Sequence, residues 1–353
     1  MRLAGRHARP ARGWVRTLCG ALAIALAAPA ARGEAPAAPS APVDGGGGYL
    51  ARLAHAVRAR LDAAAASHVT RPVPPVPVAI KWKPQKLGSL DLGAPVVAVA
   101  AADLDGDGKA EVYLVTSREV IAVGLAGRLH KLGHVAFGGE PAVPASRDVV
   151  GTAVIDGRAV IATVSAWARD LRVEWTGRTL TARPGPGGFV VCGDRRQLAA
   201  GRNYFRDAGA ETLGARCRSD LIDPSGAPLR IRADLATTGA LEVAVERCAA
   251  GGDECRAAGS YQYKDVGVAF EIADVDRDGA PELIASSASA PGDADTVRVV
   301  TLGNPAGKPT FKKQFTGGVA GIVVADGDGD GVPEVIAVVR LAGSTRVDLW
   351  RLD

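Results

Sequence analysis

Aromatic residues make up only 5% of this 353-residue chain, and histidine occurs five times. So small a stock leaves no series of stacking platforms repeated in register, which a multivalent sugar-binding surface needs. The tryptophans beyond residue 33, Trp82, Trp167, Trp175 and Trp350, do not recur at equivalent places and read as packing residues. Trp167 and Trp175 fall close together and keep a single glycan patch as an alternative.

Catalytic apparatus is equally scarce. Neither G-x-S-x-G nor H-E-x-x-H occurs. His130 and His134 are separated by Lys-Leu-Gly, without the glutamate of a metalloprotease helix, and their segment reads as a strand. A serine triad would have to draw on these or on His55 and His68 without local support. The chain is therefore not expected to be an enzyme; an accessory or catalytic propeller of a secreted enzyme is the second alternative. There is no C-x-x-C pair and no histidine near the later cysteines, which argues against zinc.

A basic excess is absent beyond residue 33. The formal net charge is +4, and six arginines (Arg2, Arg6, Arg9, Arg12, Arg16 and Arg32) lie in the first 33 residues, where there is no acid. A basic start, an apolar stretch from Thr17 to Ala28 and small residues up to Gly33 read as a secretory signal, 1–33. Its apolar part is too short for a stable membrane span. Cys19 follows Arg16 and Leu18, which does not fit a lipid-anchoring signal. Cleavage after Gly33 leaves 36 basic against 38 acidic residues, and the case for nucleic acid disappears. Export to the periplasm is expected, with the extracellular space or cell surface as the alternative. Cys192, Cys217, Cys248 and Cys255 then form two disulfides, and of three pairings the short loops favour Cys192 with Cys217 and Cys248 with Cys255.

Residues 34–48 read as a flexible linker. Apolar residues at Leu50, Leu53, Ala54, Val57, Leu61 and Ala64 recur at helical spacing and predict an amphipathic helix over 49–68. A proline-rich spacer, 69–78, follows. From 79 to 353, short apolar strands alternate with glycine-rich turns, and the 44 glycines and 22 prolines suit an all-β domain.

Three segments of that domain align without gaps. Asp103-Leu-Asp105-Gly-Asp107-Gly-Lys109-Ala-Glu111, Asp274-Val-Asp276-Arg-Asp278-Gly-Ala280-Pro-Glu282 and Asp326-Gly-Asp328-Gly-Asp330-Gly-Val332-Pro-Glu334 each sit between apolar strands. Degenerate copies surround Asp223 to Gly226 and the Asp156-Gly157 turn. Glycines 108, 157, 226, 279 and 331 mark steps of 49, 69, 53 and 52 residues. The last unit is short by what the segment from Ala79 supplies, so the two chain ends complete one repeat. A ring of repeats closes in this way, which predicts a β-propeller of four-stranded blades, five favoured and six or seven as alternatives.

Aspartates at loop positions 1, 3 and 5 and glutamate at 9 converge four carboxylates, and the carbonyl of position 7 (Lys109, Ala280, Val332) adds an oxygen. Such donors suit Ca2+, up to three structural ions, because like charges at that density repel without a cation. These D-x-D-x-D-G-x-x-E loops resemble FG-GAP or VCBS repeats, the integrin-α-like calcium-binding β-propeller, over about 79–353. The chain departs from that pattern in carrying glutamate at position 9 and little of the Phe-Gly and Gly-Ala-Pro signatures apart from Gly93-Ala94-Pro95. The resemblance implies a binding or adhesion scaffold with a protein partner on a propeller face, or a glycan in the alternative.

Overall fold

Every helix or strand among the described residues is a β-strand. The computed structural model describes residues 80–138, 150–167, 169–198, 204–206, 211–249, 254–289, 293–306, 308–341 and 343–353. The signal peptide, linker, amphipathic helix and proline-rich spacer expected before residue 79 lie outside these. The chain divides into two units, Met1–Val69 and Thr70–Asp353, and the described residues all belong to the second.

Its strands form five antiparallel sheets. After β1 (Gln85–Asp91), the first sheet pairs β2 (Val96–Ala102), β3 (Glu111–Thr116), β4 (Glu119–Gly124) and β5 (His130–Ala136) in chain order. The second pairs β6 (Gly151–Asp156), β7 (Ala159–Val164), β8 (Leu171–Thr176) and β9 (Thr179–Pro184). In the third, the short strands β10 (Phe189–Val191), β11 (Asp194–Leu198) and β12 (Phe205–Arg206) precede β13 (Glu211–Ile222), β14 (Pro228–Ala236), β15 (Leu241–Cys248) and β16 (Cys255–Tyr263). The fourth holds β17 (Val266–Ala273), β18 (Glu282–Ser287), β19 (Asp295–Thr301) and β20 (Phe311–Phe315). The fifth holds β21 (Gly318–Ala325), β22 (Glu334–Arg340) and β23 (Arg346–Leu352), and β1 is its fourth strand.

The all-β expectation holds among the described residues, and most of the sheets have the expected four strands. Four sheets have four strands, but the third has seven, and its extra strands occupy the long step between repeats. Joining β1 to β23 brings the start and end of the unit together. Lys86 Nζ and Ser89 Oγ both reach Asp348 at 2.6 Å, and the Lys83 N–H donates to the Asp353 carbonyl at 2.8 Å.

In the four-stranded sheets the second strands are buried along almost their whole length, as in Glu111–Thr116 and Ala159–Val164. Both faces of these strands are covered because the sheets stack on one another. One apolar cluster joins the first and second sheets through Val115, Val120, Val160 and Val173. Others join the third sheet to the fourth, the fourth to the fifth, and the fifth to the first. The smallest, around Phe189, Phe205 and Ala215, meets Val154 of the second sheet and Val150 just before it. No strand pairing links one sheet to the next among the described residues.

First strands approach one another closely. A Cβ built on Gly321 of β21 would lie 2.1 Å from Val99 Cγ2 of β2, so only glycine fits there. Between the first strands lies a cavity of about 550 Å3, lined by parts of β2, β6, β10, β13, β17 and β21. Its charges are mutually paired. Arg218 donates to both oxygens of Asp220 at 2.8 and 2.7 Å and lies 3.5 Å from Glu271, which is also 3.7 Å from Arg216.

Candidate metal centres

Each acidic loop connects the first and second strands of its sheet: β2 to β3, β17 to β18, and β21 to β22. The three share one hydrogen-bonding scheme. The position 1 aspartate accepts from the amide of position 6, at 2.9 Å for Asp103 and Gly108, 3.0 Å for Asp274 and Gly279, and 2.8 Å for Asp326 and Gly331. The position 5 aspartate accepts from position 7, at 2.8, 2.6 and 2.7 Å for the amides of Lys109, Ala280 and Val332. The position 9 glutamate accepts from position 2, at 3.1, 3.0 and 2.9 Å for Leu104, Val275 and Gly327. Backbone amides thus fix the carboxylates and leave oxygens facing inward.

Repeated positive φ angles produce that scheme. Position 6 is glycine throughout, with φ of 87° at Gly108, 85° at Gly279 and 84° at Gly331. Position 4 also takes this left-handed conformation, which glycine adopts without steric cost. In the second loop it falls to Arg277, at φ 62°.

In the first loop, Asp103, Asp105, Asp107 and Glu111 bring ligand atoms within 4.8 Å of one another. The second loop does the same for Asp274, Asp276 and Glu282, leaving out Asp278, and the third for Asp326, Asp328 and Asp330, leaving out Glu334. These three acidic groups could hold a metal ion. The donors are all oxygen, the chemistry of a hard cation.

The second loop supplies the sharpest test of fit. Glu282 is 1% exposed, and Glu282 Oε1 and Asp274 Oδ1 are buried without a hydrogen-bond partner. Buried carboxylate oxygens left unpaired are costly, and a cation between them removes that cost. Burial pushes Glu282 up to about 8, its Val275 amide bond opposing and the charges of Asp276, Asp278 and Asp274 adding to the rise. Glu111 is pushed up to about 7, again first by burial. Burial raises Glu334, Asp274 and Asp276 as well.

The degenerate copies hold no such group. Asp223 Oδ1 accepts from the amides of Ser225 and Ala227 at 2.8 and 3.0 Å, while its Oδ2 pairs with Arg247 at 2.6 Å. Asp156 pairs with Arg172. Sequence reasoning missed these arginines because each is distant in sequence from its loop and reaches it from another strand, Arg172 from β8 and Arg247 from β15.

The remaining candidates are structural in their contacts. Cys192 is bonded to Cys217 and Cys248 to Cys255. Two disulfides point to an oxidising environment, which accords with an exported chain. No helix among the described residues is long and apolar enough to cross a membrane. Trp175 donates to Tyr113 Oη at 2.8 Å, and Trp167 stacks on Phe137 and donates to the Ser117 carbonyl at 2.8 Å. His130 and His134 both lie on β5, and His134 Nδ1 meets Glu119 Oε2 at 2.6 Å.

No family model matches the chain, and no curated protein matches it. Among solved structures, the core factor of S. cerevisiae is similar over 75% of this chain and 48% of that one, at 10% identity and a TM-score of 0.28. The chain thus spans about half the length of that structure's chain, and a likeness so distant bears on neither fold nor function.

Proposed function

We propose that the five sheets are the blades of a calcium-stabilised β-propeller of the FG-GAP or VCBS type, exported and acting as a non-catalytic protein-binding or adhesion scaffold. One observation carries this reading: three of the five sheets bear the same acidic loop in the same place, with the same amide bonds, between their first and second strands. The cavity bordered by first strands of all five sheets supports the propeller, and the β1–β23 pairing supports its closure by the two ends. Calcium tied to the loops adds to folding stability by mass action. A protein partner then docks on loops gathered at one face.

A glycan-binding reading has one observation in its favour. A cavity of about 550 Å3 is lined by Phe137, Trp167, Arg169, Asp170 and Arg183, an indole beside charged groups. Sugar-induced quenching of Trp167 emission, abolished by Trp167→Phe, would select this reading over the first.

Thermal unfolding of the disulfide-intact protein in excess calcium and in chelator tests the principal reading. A calcium-dependent rise in midpoint, reduced by Asp103→Ala and by Asp274→Ala, is expected. An unchanged midpoint would make the loops turns alone. Capture of a partner from a periplasmic extract that fails with chelator would then extend the result from stability to binding.

A further inference from the structure

The third loop differs from the other two in having a guanidinium paired with its carboxylates. Arg351 of β23 places Nη1 3.1 Å from Asp328 Oδ2 and 3.6 Å from Glu334 Oε1, the position 3 and position 9 carboxylates. Its Nη2 donates to Gln85 Oε1 at 3.1 Å, and its Nε lies 3.0 Å from Asp353 Oδ2. Glu334 correspondingly stands outside the converging acidic group, which Glu111 and Glu282 join in their own loops.

Sheet register explains why the other loops lack this contact. Arg351 lies opposite Ile336, two residues beyond the glutamate of its loop. At the matching place the first sheet sets Ala122 opposite Tyr113, and the fourth sets Val299 opposite Ile284. Neither side chain carries a charge, and no ion pair of a described residue reaches the carboxylates of the first or second loop. In the degenerate copies an arginine is again the counter-charge: Arg247 for Asp223 and Arg172 for Asp156.

We infer that Arg351 stands in for the cation at the third loop, so that the chain takes up two divalent ions tightly, at the first and second loops, and not three. A guanidinium supplies one positive charge and directional N–H donors to carboxylates that a divalent ion would otherwise bridge. An ion entering the third loop must first displace a side chain that hydrogen-bonds Asp328 and Gln85 and lies beside Glu334 and Asp353, whereas the second loop offers buried, unpartnered oxygens. The inference rests on the calcium reading above and divides its three sites into two classes.

Equilibrium dialysis of the full exported chain against calcium, with the disulfides intact, counts the ions directly. Two tight ions are expected for the natural chain, three for Arg351→Met, and two for Arg351→Lys. Three equivalent ions in the natural chain, or an Arg351→Met count that stays at two, would overturn the inference while leaving calcium binding intact. No bound ion at all would overturn the calcium reading and this inference with it. A second measurement avoids dependence on the folding of Arg351→Met: the calcium-induced rise in midpoint should shrink with Asp103→Ala and Asp274→Ala but keep its full size with Asp326→Ala. A loss with Asp326→Ala equal to the other two counts against the inference.

Discussion

Tyr113 donates its phenolic hydrogen to Glu111 Oε2 at 2.7 Å. The same oxygen of Tyr113 accepts from Trp175 Nε1 at 2.8 Å, so a carboxylate of the first loop is tied to a strand of the second sheet. Removing that hydroxyl leaves an indole N–H and a buried carboxylate each short of a partner. Tyr113→Phe should therefore cost about 1–3 kcal/mol in denaturant unfolding. It should also weaken calcium binding at the first loop, since the glutamate loses the bond that orients it.

Metal-free protein should become less stable as pH rises through neutrality. Glu111 and Glu282 are pushed by burial to about 7 and about 8, against 4.5 for the ordinary group. The folded chain thus keeps protons that the unfolded chain has released, and stability falls as pH climbs from the unfolded value through the folded ones. Below the unfolded value this contribution is complete. A bound cation stabilises the ionised forms and should remove the slope. Urea midpoints at pH 5.5 and 8.5 in chelator should therefore differ, the higher pH being the weaker, and calcium should abolish or reverse the difference. Asp220, held below 3.8 first by its bond from Arg218, acts only in stronger acid and does not enter this window.

The acidic loops were legible in the sequence because their shared scheme of amide bonds requires an aspartate, a glycine or a glutamate at fixed positions, which preserves the spacing. Strand Val96–Ala102 matches its apolar run from end to end. β17 begins two residues before the run that starts at Val268, where a register shift between Val266 and Phe270 breaks the alternation that pattern reading relies on. The short strands Phe189–Val191 and Phe205–Arg206 were illegible because two or three residues carry no periodicity. Counter-charges such as Arg351 were invisible for another reason. Which loop an arginine reaches depends on strand register, and register is a property of the assembled sheet.

Arg277 stands where the first and third loops place Gly106 and Gly329, with φ of 62° against 83° and 82°. A residue with a Cβ pays about 1–2 kcal/mol in this region. Its side chain is exposed and makes no ion pair with the loop carboxylates. Arg277→Gly should therefore leave calcium binding in place and raise stability by up to about 1 kcal/mol, the gain being reduced by the greater freedom of glycine in the unfolded chain. Gly329→Ala should do the reverse. Paired denaturation curves of the two variants check both signs, and a destabilised Arg277→Gly would mean that the arginine has a partner-binding or packing role of its own.

The two disulfides should not be equivalent. Cys192–Cys217 spans 25 residues and joins the turn after β10 to β13, crossing the extra strands of the third sheet. Cys248–Cys255 spans 7 and joins directly opposed residues of a hairpin. Loop-closure entropy assigns about 3.5 kcal/mol to the first and about 2.4 kcal/mol to the second. The difference should widen in practice, because the small cluster of Phe189, Val191, Phe205 and Ala215 has few other apolar neighbours, and Cys192 and Cys217 pack against it. Replacing both Cys192 and Cys217 with serine should consequently lower the unfolding midpoint more than the same change at Cys248 and Cys255. It should also open that cluster first, seen as early deuterium uptake in β10–β13 while the first, fourth and fifth sheets stay protected. Equal losses from the two pairs, or uniform uptake across the sheets, would show that the third sheet is held by its hydrogen-bonded strands and not by the bond that spans them.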